Sequence, residues 1–226
     1  MTKDYGQYCG LSHALDLIGG RWTLLIVRDL LTGPKRFTDL EHGLPGIPTN
    51  VLSARLKEME DAGLVERTLL ARPLSGFAYQ LTAYGRDLED PLMRLGLWGA
   101  RSLPGPGPHD YFSYSSLAMG LRAMFNADAA SGITLRFRIE SGEQELRGAI
   151  ERGDLTIPDV DTGEPDLTIS AEPAVVADLI RGTRTIDHAL ASNELPFAGS
   201  EHDLRRFFSI FDMSRQSTPA ASASSG

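Results

Sequence analysis

The chain has 226 residues, 42% of them hydrophobic and 23% charged, a globular balance that excludes wholesale disorder and leaves room for two domains of ordinary size. Its formal net charge of -8 looks wrong for a nucleic-acid binder, and its single cysteine excludes an internal disulfide and suits a reducing cytoplasm. No stretch approaches eighteen apolar residues and the opening MTKDYGQYCG does not read as a signal peptide, so a cytoplasmic chain without membrane contact is expected.

In chain order, residues 11–19 and 21–31 form two apolar-rich helical patterns separated by Gly19-Gly20. Trp22 and the run Leu24-Leu25-Ile26 are expected to pack beneath the stretch from Thr32 to Gly85. That stretch holds two short helical patterns parted by LPGIPTN, then two β-prone runs, 64–69 and 77–82, around the turn-rich Arg72-Pro73-Leu74-Ser75-Gly76. Helix, turn, helix, hairpin is the order of a winged helix-turn-helix, a DNA-reading module.

The second helix of that stretch carries the reading. Pro48 and Thr49 suit its start, Leu52, Leu56 and Met59 make one apolar stripe, and Gly63 suits its end. The opposite face carries Asn50, Ser53, Ala54 and Lys57, with Thr49 and Arg55 on the flanks. Asn can bond adenine in a bidentate manner, Ser reads either partner, and Arg or Lys takes phosphate or guanine. A solvated amphipathic helix would show the same pattern, and the hairpin directly after it weighs against that plainer account. The candidate DNA-binding set is Arg36, Thr38, Thr49, Asn50, Ser53, Arg55, Lys57 and Arg72, the last placed at the hairpin tip.

The charge divides unevenly. Residues 1–103 hold 12 Lys and Arg against 12 Asp and Glu, and residues 104–226 hold 10 against 18. The acidic excess therefore belongs to the second half, and DNA contact rests on the local set Lys35, Arg36, Arg55, Lys57 and Arg72. Helical pattern resumes over 84–103 with Leu88, Leu92, Leu95 and Trp98 at helical spacing, and Pro91 predicts a kink or a break. Pairing with the same helix of a second subunit gives a homodimer with recognition helices one DNA turn apart. Packing on helix 11–19 within one subunit is the alternative.

Residues 9–99 resemble the HxlR-type family of bacterial winged-helix transcription regulators. The resemblance rests on Cys9, Ala14–Ile26, Arg36–Leu40, Leu44–Ile47, Val51–Glu58, Ala62–Arg67, Tyr79–Thr82 and Gly85-Arg86. It implies a DNA-binding homodimer that represses or activates nearby genes. Some members of that family use a cysteine near position 9 as a redox or electrophile sensor, through the thiolate. Here no basic residue adjoins Cys9 in sequence, and a half-buried structural thiol is the plainer alternative.

Pro104-Gly105-Pro106-Gly107-Pro108 marks a boundary, and residues 104–110 are expected to be a stiff linker between domains 1–103 and 111–212. Beyond it come a helix over 115–128, a strictly alternating strand over 133–139, strand-like runs near 144–150, 154–157 and 166–170, helices over 173–181 and 185–191, a strand over 194–198 and a helix over 200–212. Residues 213–226, rich in Ser and Ala, read as a disordered tail. The order predicts an antiparallel sheet with helices at its beginning and end, and an α+β fold class for the chain.

This half resembles the sterol carrier protein fold through Pro165–Ser170, Leu179–Gly182 and Leu195–Ser200. The resemblance implies a cavity between sheet and helices for a small apolar ligand, with Leu121, Met124, Phe125, Leu135 and Phe137 as candidate lining residues. A cavity filled by side chains, in a domain that only extends the dimer, is the alternative, and a lipid carrier is a third class made improbable by the reading head. No catalytic site, metal site or cofactor is expected. The five histidines have no ligand spacing, no nucleophile elbow, phosphate loop or dinucleotide fingerprint occurs, and Asp187 and His188 are adjacent on a helix and point apart.

Overall fold

The computed structural model describes residues 5–69, 76–103, 111–142, 144–157 and 163–211, so the expected linker at 104–110 and tail at 213–226 lie outside the described residues. The chain divides into two compact units between Ser116 and Leu117. Both units are mixed helix and sheet, an α+β architecture.

The first unit opens with α1 (Gly10–Ile18) and α2 (Thr23–Leu30). Between them Trp22 takes φ 81°, in the left-handed region, and the Arg21 guanidinium lies 5.2 Å from its ring. Ile26, Val27 and Leu30 make α2 the buried centre of the unit. Next come α3 (Phe37–Gly43) and α4 (Thr49–Asp61), and the turn between them is held by the buried side chains of Leu44 and Ile47. Leu52, Leu56 and Met59 are each at most 1% exposed, the apolar stripe expected of α4. Gly63 ends the helix at φ +68°, donating to the Glu60 carbonyl while Leu64 donates to Met59. That paired closure is the Schellman arrangement, which favours a residue without Cβ.

Strands β1 (Val65–Leu69) and β2 (Phe77–Leu81) pair antiparallel, with Val65 opposite Leu81 and Leu69 opposite Phe77. Lys35 exchanges both main-chain hydrogen bonds with Tyr79, at 2.9 and 2.8 Å, and so adds one rung to the hairpin from the segment before α3. The expected helix over 84–103 is two helices, α5 (Ala83–Arg86) and α6 (Glu89–Ala100). The break falls at Asp87-Leu88 and not at Pro91. Pro91 is the third residue of α6, where a missing N–H breaks no intrahelical bond.

In the second unit, α7 (Tyr114–Met124), which starts before the division, is followed by β3 (Thr134–Ser141), β4 (Gln144–Glu151), β5 (Asp154–Thr156) and β6 (Leu167–Ser170). Then come α8 (Pro173–Ile180), α9 (Ile186–Ala191), β7 (Phe197–Ala198) and α10 (Glu201–Ser209). The five strands lie in the order β5-β4-β3-β6-β7. The expectation of an antiparallel sheet is corrected here: β3 and β6 pair parallel, so the sheet is mixed. Alternating side chains look the same in parallel and antiparallel strands. Direction is decided by the return from β5, which brings β6 to the free side of β3.

One sheet face is apolar, with Leu135, Phe137 and Ile139 of β3 opposite Ile150, Gly148 and Leu146 of β4. Gly148 is where the Phe137 ring lies on the neighbouring strand, since a Cβ there would overlap the ring. Phe207 of α10 closes over Phe137 at 4.8 Å between centroids and meets Phe208 and Phe211 at 5.2 and 5.1 Å. Tilted and edge-on rings at these spacings are favourable beyond their area.

In the first unit, a Cβ on Gly85 would overlap the Leu64 carbonyl oxygen, which is backbone and accepts from Thr82 N–H at 3.1 Å. Ala is favoured over Gly in a helix by about 1 kcal/mol, but overpacking against main chain costs about 1–3 kcal/mol. Gly85→Ala is therefore expected to lower the urea midpoint in equilibrium unfolding, and an unchanged or higher midpoint would remove this close approach from the account.

Candidate nucleic-acid interface

The outward face of α4 is continuous. Thr49, Asn50, Ser53, Ala54 and Lys57 are all exposed, on the side opposite the buried Leu52, Leu56 and Met59. Two polar side chains short enough to sit against base edges therefore stand on the first two turns, with a cation one turn further on. Thr49 donates to the Glu41 carboxylate on α3 at 2.6 Å, a contact across the turn that ties the two helices together. Sequence could not show it, because nothing local signals which acid meets Thr49.

The cations are held lightly or turned away. Lys57 pairs with Asp61 at 3.2 Å, with side chains 74% and 66% exposed. Such an i,i+4 pair contributes only about 0.3–0.5 kcal/mol and is readily exchanged for a phosphate. Arg55 is half-buried: its guanidinium covers Gly20 and pairs with Glu58, so it faces the α1–α2 junction. Arg36 is half-buried at the start of α3, where its N–H donates to the Asp39 carboxylate at 2.9 Å, and Thr38 is exposed on the first turn. Arg72 lies outside the described residues. On the hairpin, Arg67 sits 5.4 Å over the Tyr79 ring and 3.0 Å from Glu60, while Leu69 and Phe77 at the last rung are 72% and 66% exposed.

Below this face, Asp29 is 1% exposed and its carboxyl is pushed up by burial, against the opposing pull of Arg28 and Lys35. Arg28 Nε donates to it at 2.9 Å, and a Cβ on Gly43 would stand 2.7 Å from its Oδ2, so α3 runs close over this buried acid.

Two further patches belong to the site question. Leu11 and Leu15 of α1, and Leu95 and Trp98 of α6, are exposed apolar side chains, Trp98 at 68%. Cys9 is exposed at the N-cap of α1. No cap hydrogen bond runs through its sulfur, but the N–H groups of Ser12 and Leu11 lower the thiol pKa from its ordinary value. Helix position supplies what sequence neighbours lacked.

In the second unit, Leu121, Leu135 and Phe137 are at most 3% exposed, and Met124 and Phe125 are half-buried. Phe125 meets Phe211 with centroids 6.2 Å apart. Phe137, Phe207 and Gly148 fill one another's space, so at these positions the interior is packed by side chains. Among the described residues no helix is long and apolar enough to cross a membrane, and no three His, Cys, Asp or Glu side chains gather as for a metal ion.

The family model of HxlR-like helix-turn-helix proteins matches residues 17–105. An HTH-type transcriptional regulator of Mycobacterium tuberculosis is 41% identical over 99 residues, 43% of this chain, and the chain spans 62% of that relative's length. The regulator YvaP of Bacillus subtilis is 39% identical over 85 residues, 38% of this chain and 79% of the relative. A Synechocystis HTH-type regulator is 32% identical over 95 residues, 42% of this chain and 70% of the relative. Among solved structures, the reduced form of the transcriptional regulator YodB from B. subtilis is 31% identical, covering 45% of this chain and all of that one, with a TM-score of 0.38.

The sulfur of Cys9 gives a direct measurement. Its pKa is lowered in the folded chain, so the thiolate appears at lower pH than in the unfolded one. The rate of iodoacetamide alkylation against pH is expected to rise with a midpoint below that of the same chain in urea. Coincident midpoints would show that the α1 amides do not act on the sulfur.

Proposed function

The chain belongs to the HxlR-like helix-turn-helix family, and from that membership we propose that it is a transcriptional regulator that binds double-stranded DNA through α4. One observation carries the reading: Thr49, Asn50, Ser53 and Lys57 stand exposed on one side of α4, while the other side is buried in the unit. In this reading Asn50 and Ser53 reach base edges in the major groove. Arg36, Thr38, Thr49, Lys57 and Arg72 bind phosphate, and Arg55 joins them only after leaving Glu58. No catalytic step enters, and the work is done in the cytoplasm.

The protein acts as a homodimer. The exposed Leu11, Leu15, Leu95 and Trp98 support this, because a second copy removes such side chains from water. Residues 1–103 are the reading domain, 104–110 the linker, 111–212 the second domain and 213–226 a tail. The second domain is sterol-carrier-like, and the apolar effector reading rests on that resemblance. With Leu121, Leu135 and Phe137 packed, a ligand there must displace aromatic packing, and the half-buried Met124 and Phe125 offer the nearer edge. A second reading, redox or electrophile sensing through Cys9, is favoured by the exposed thiol at a helix N-cap with lowered pKa.

The test is a gel shift of the full chain on its own upstream DNA over a salt series. Lys57→Ala is expected to lower the slope of log affinity against log salt by about one, equally on every sequence. Asn50→Ala is expected to relax preference at particular base pairs by about 1–3 kcal/mol. Salt-independent affinity, or no affinity for any promoter fragment, would defeat the proposal.

The dimer has its own measurement. Trp98→Asp is expected to weaken the self-association made through the first unit, measured by sedimentation over a concentration series, and to weaken operator binding at least tenfold. A variant that binds DNA unchanged would remove α6 from the interface.

A further inference from the structure

The face of the second unit's sheet opposite Phe137 carries charge in rungs. Arg138 of β3 lies directly opposite Arg147 of β4, and two residues on, Glu140 lies directly opposite Glu145. The positive rung continues onto Thr168 of β6 and Ala198 of β7, and the negative rung onto Ser170. Ion pairs run along the strands instead of across them: Arg138 Nε to Glu140 at 3.1 Å and Arg147 Nε to Glu145 at 2.9 Å. All four side chains are 29% to 46% exposed.

Like charges directly opposite on a sheet are the unfavourable arrangement. Exchanging Glu145 and Arg147 would give opposite charges both along and across the strands, with the same composition. The striped order keeps like charges side by side in each rung. The two rungs together are neutral, two arginines against two glutamates, while Arg136 opposite Ala149 and Glu151 opposite Thr134 lie further along the same face. What complements the two rungs is a surface with the same two in reverse order.

We propose that this surface is the same face of a second copy of the chain. A two-fold axis lying in the interface, parallel to the rungs and midway between them, sets the Arg138–Arg147 rung of one copy on the Glu140–Glu145 rung of the other. The rungs are about 7 Å apart along the strands and stacked sheets sit about 10 Å apart, within reach of arginine and glutamate side chains. Each new contact is an arginine–carboxylate pair, in which the planar guanidinium can bond a carboxylate through two N–H groups. The interface is isologous and closes on two copies.

The proposal does not require the DNA-reading assignment, and a charge exchange in the full chain separates the two. One chain carries Glu140→Arg and Glu145→Arg, the other Arg138→Glu and Arg147→Glu. They are mixed and the dimers weighed by native mass spectrometry. A dimer held only through the first unit gives a statistical mixture, with twice as much mixed dimer as either pure one. The sheet interface is expected to raise that ratio about tenfold at low salt, equivalent to about 1.4 kcal/mol, and to lose the excess in 1 M salt. The chain with all four charges inverted restores both rungs in the opposite order and is expected to self-associate as the original does. A statistical ratio at low salt, a monomeric original chain, or loss of association in the four-fold inverted chain would each overturn the proposal.

Discussion

The first unit depends on one junction. Around the Leu64 carbonyl, the end of α4, the roots of both hairpin strands and the start of α5 come within hydrogen-bonding distance of one another. Thr82 donates its hydroxyl to Gly63 at 2.6 Å and its N–H to Leu64, while its side-chain oxygen accepts from Gly85 at 3.1 Å. Gly63 turns the chain out of α4 and Gly85 lets α5 lie against the carbonyl. The orientation of the hairpin relative to α4 is thereby set by short polar contacts to main chain, which tolerate little displacement. The end of α4 and the roots of the hairpin are thus held to one another through main chain.

The electrostatics of the first unit are modest and local. Its first 103 residues carry equal numbers of positive and negative side chains, so no broad field draws a polyanion. The charges that matter are already paired: Lys57 with Asp61, Arg55 with Glu58, Arg67 with Glu60. An exposed pair is cheap to open because water screens both partners. In the proposed reading, specificity falls to the uncharged Asn50 and Ser53.

The second unit divides its labour by sheet face. The apolar face is closed by aromatic rings, with Gly148 leaving the space that Phe137 occupies and Phe207 stacking against it. A ring over a glycine on the next strand restores the contact area the missing side chain would have supplied. The same alternation that sends Phe137 inward sends Arg136 and Arg138 outward, so the composition of the polar face is tied to the register that fills the core.

The amino-acid sequence by itself determined the local elements. The 3.6-residue spacing of Leu52, Leu56 and Met59 marked α4 and its buried side, Gly63 marked its end, and the alternation over 133–139 marked β3, because these depend on propensity and period alone. The exposed side of α4, to which the proposal assigns DNA contact, was legible for the same reason, as the complement of an apolar stripe. Tertiary structure decided what depends on partners far along the chain. It turned Arg55 onto Gly20 and set Thr49 on Glu41. It also placed β6 parallel to β3, where sequence had suggested an antiparallel sheet. A period tells which side of an element is wet, but only the packed chain tells which neighbour a long side chain reaches and which way a returning strand runs.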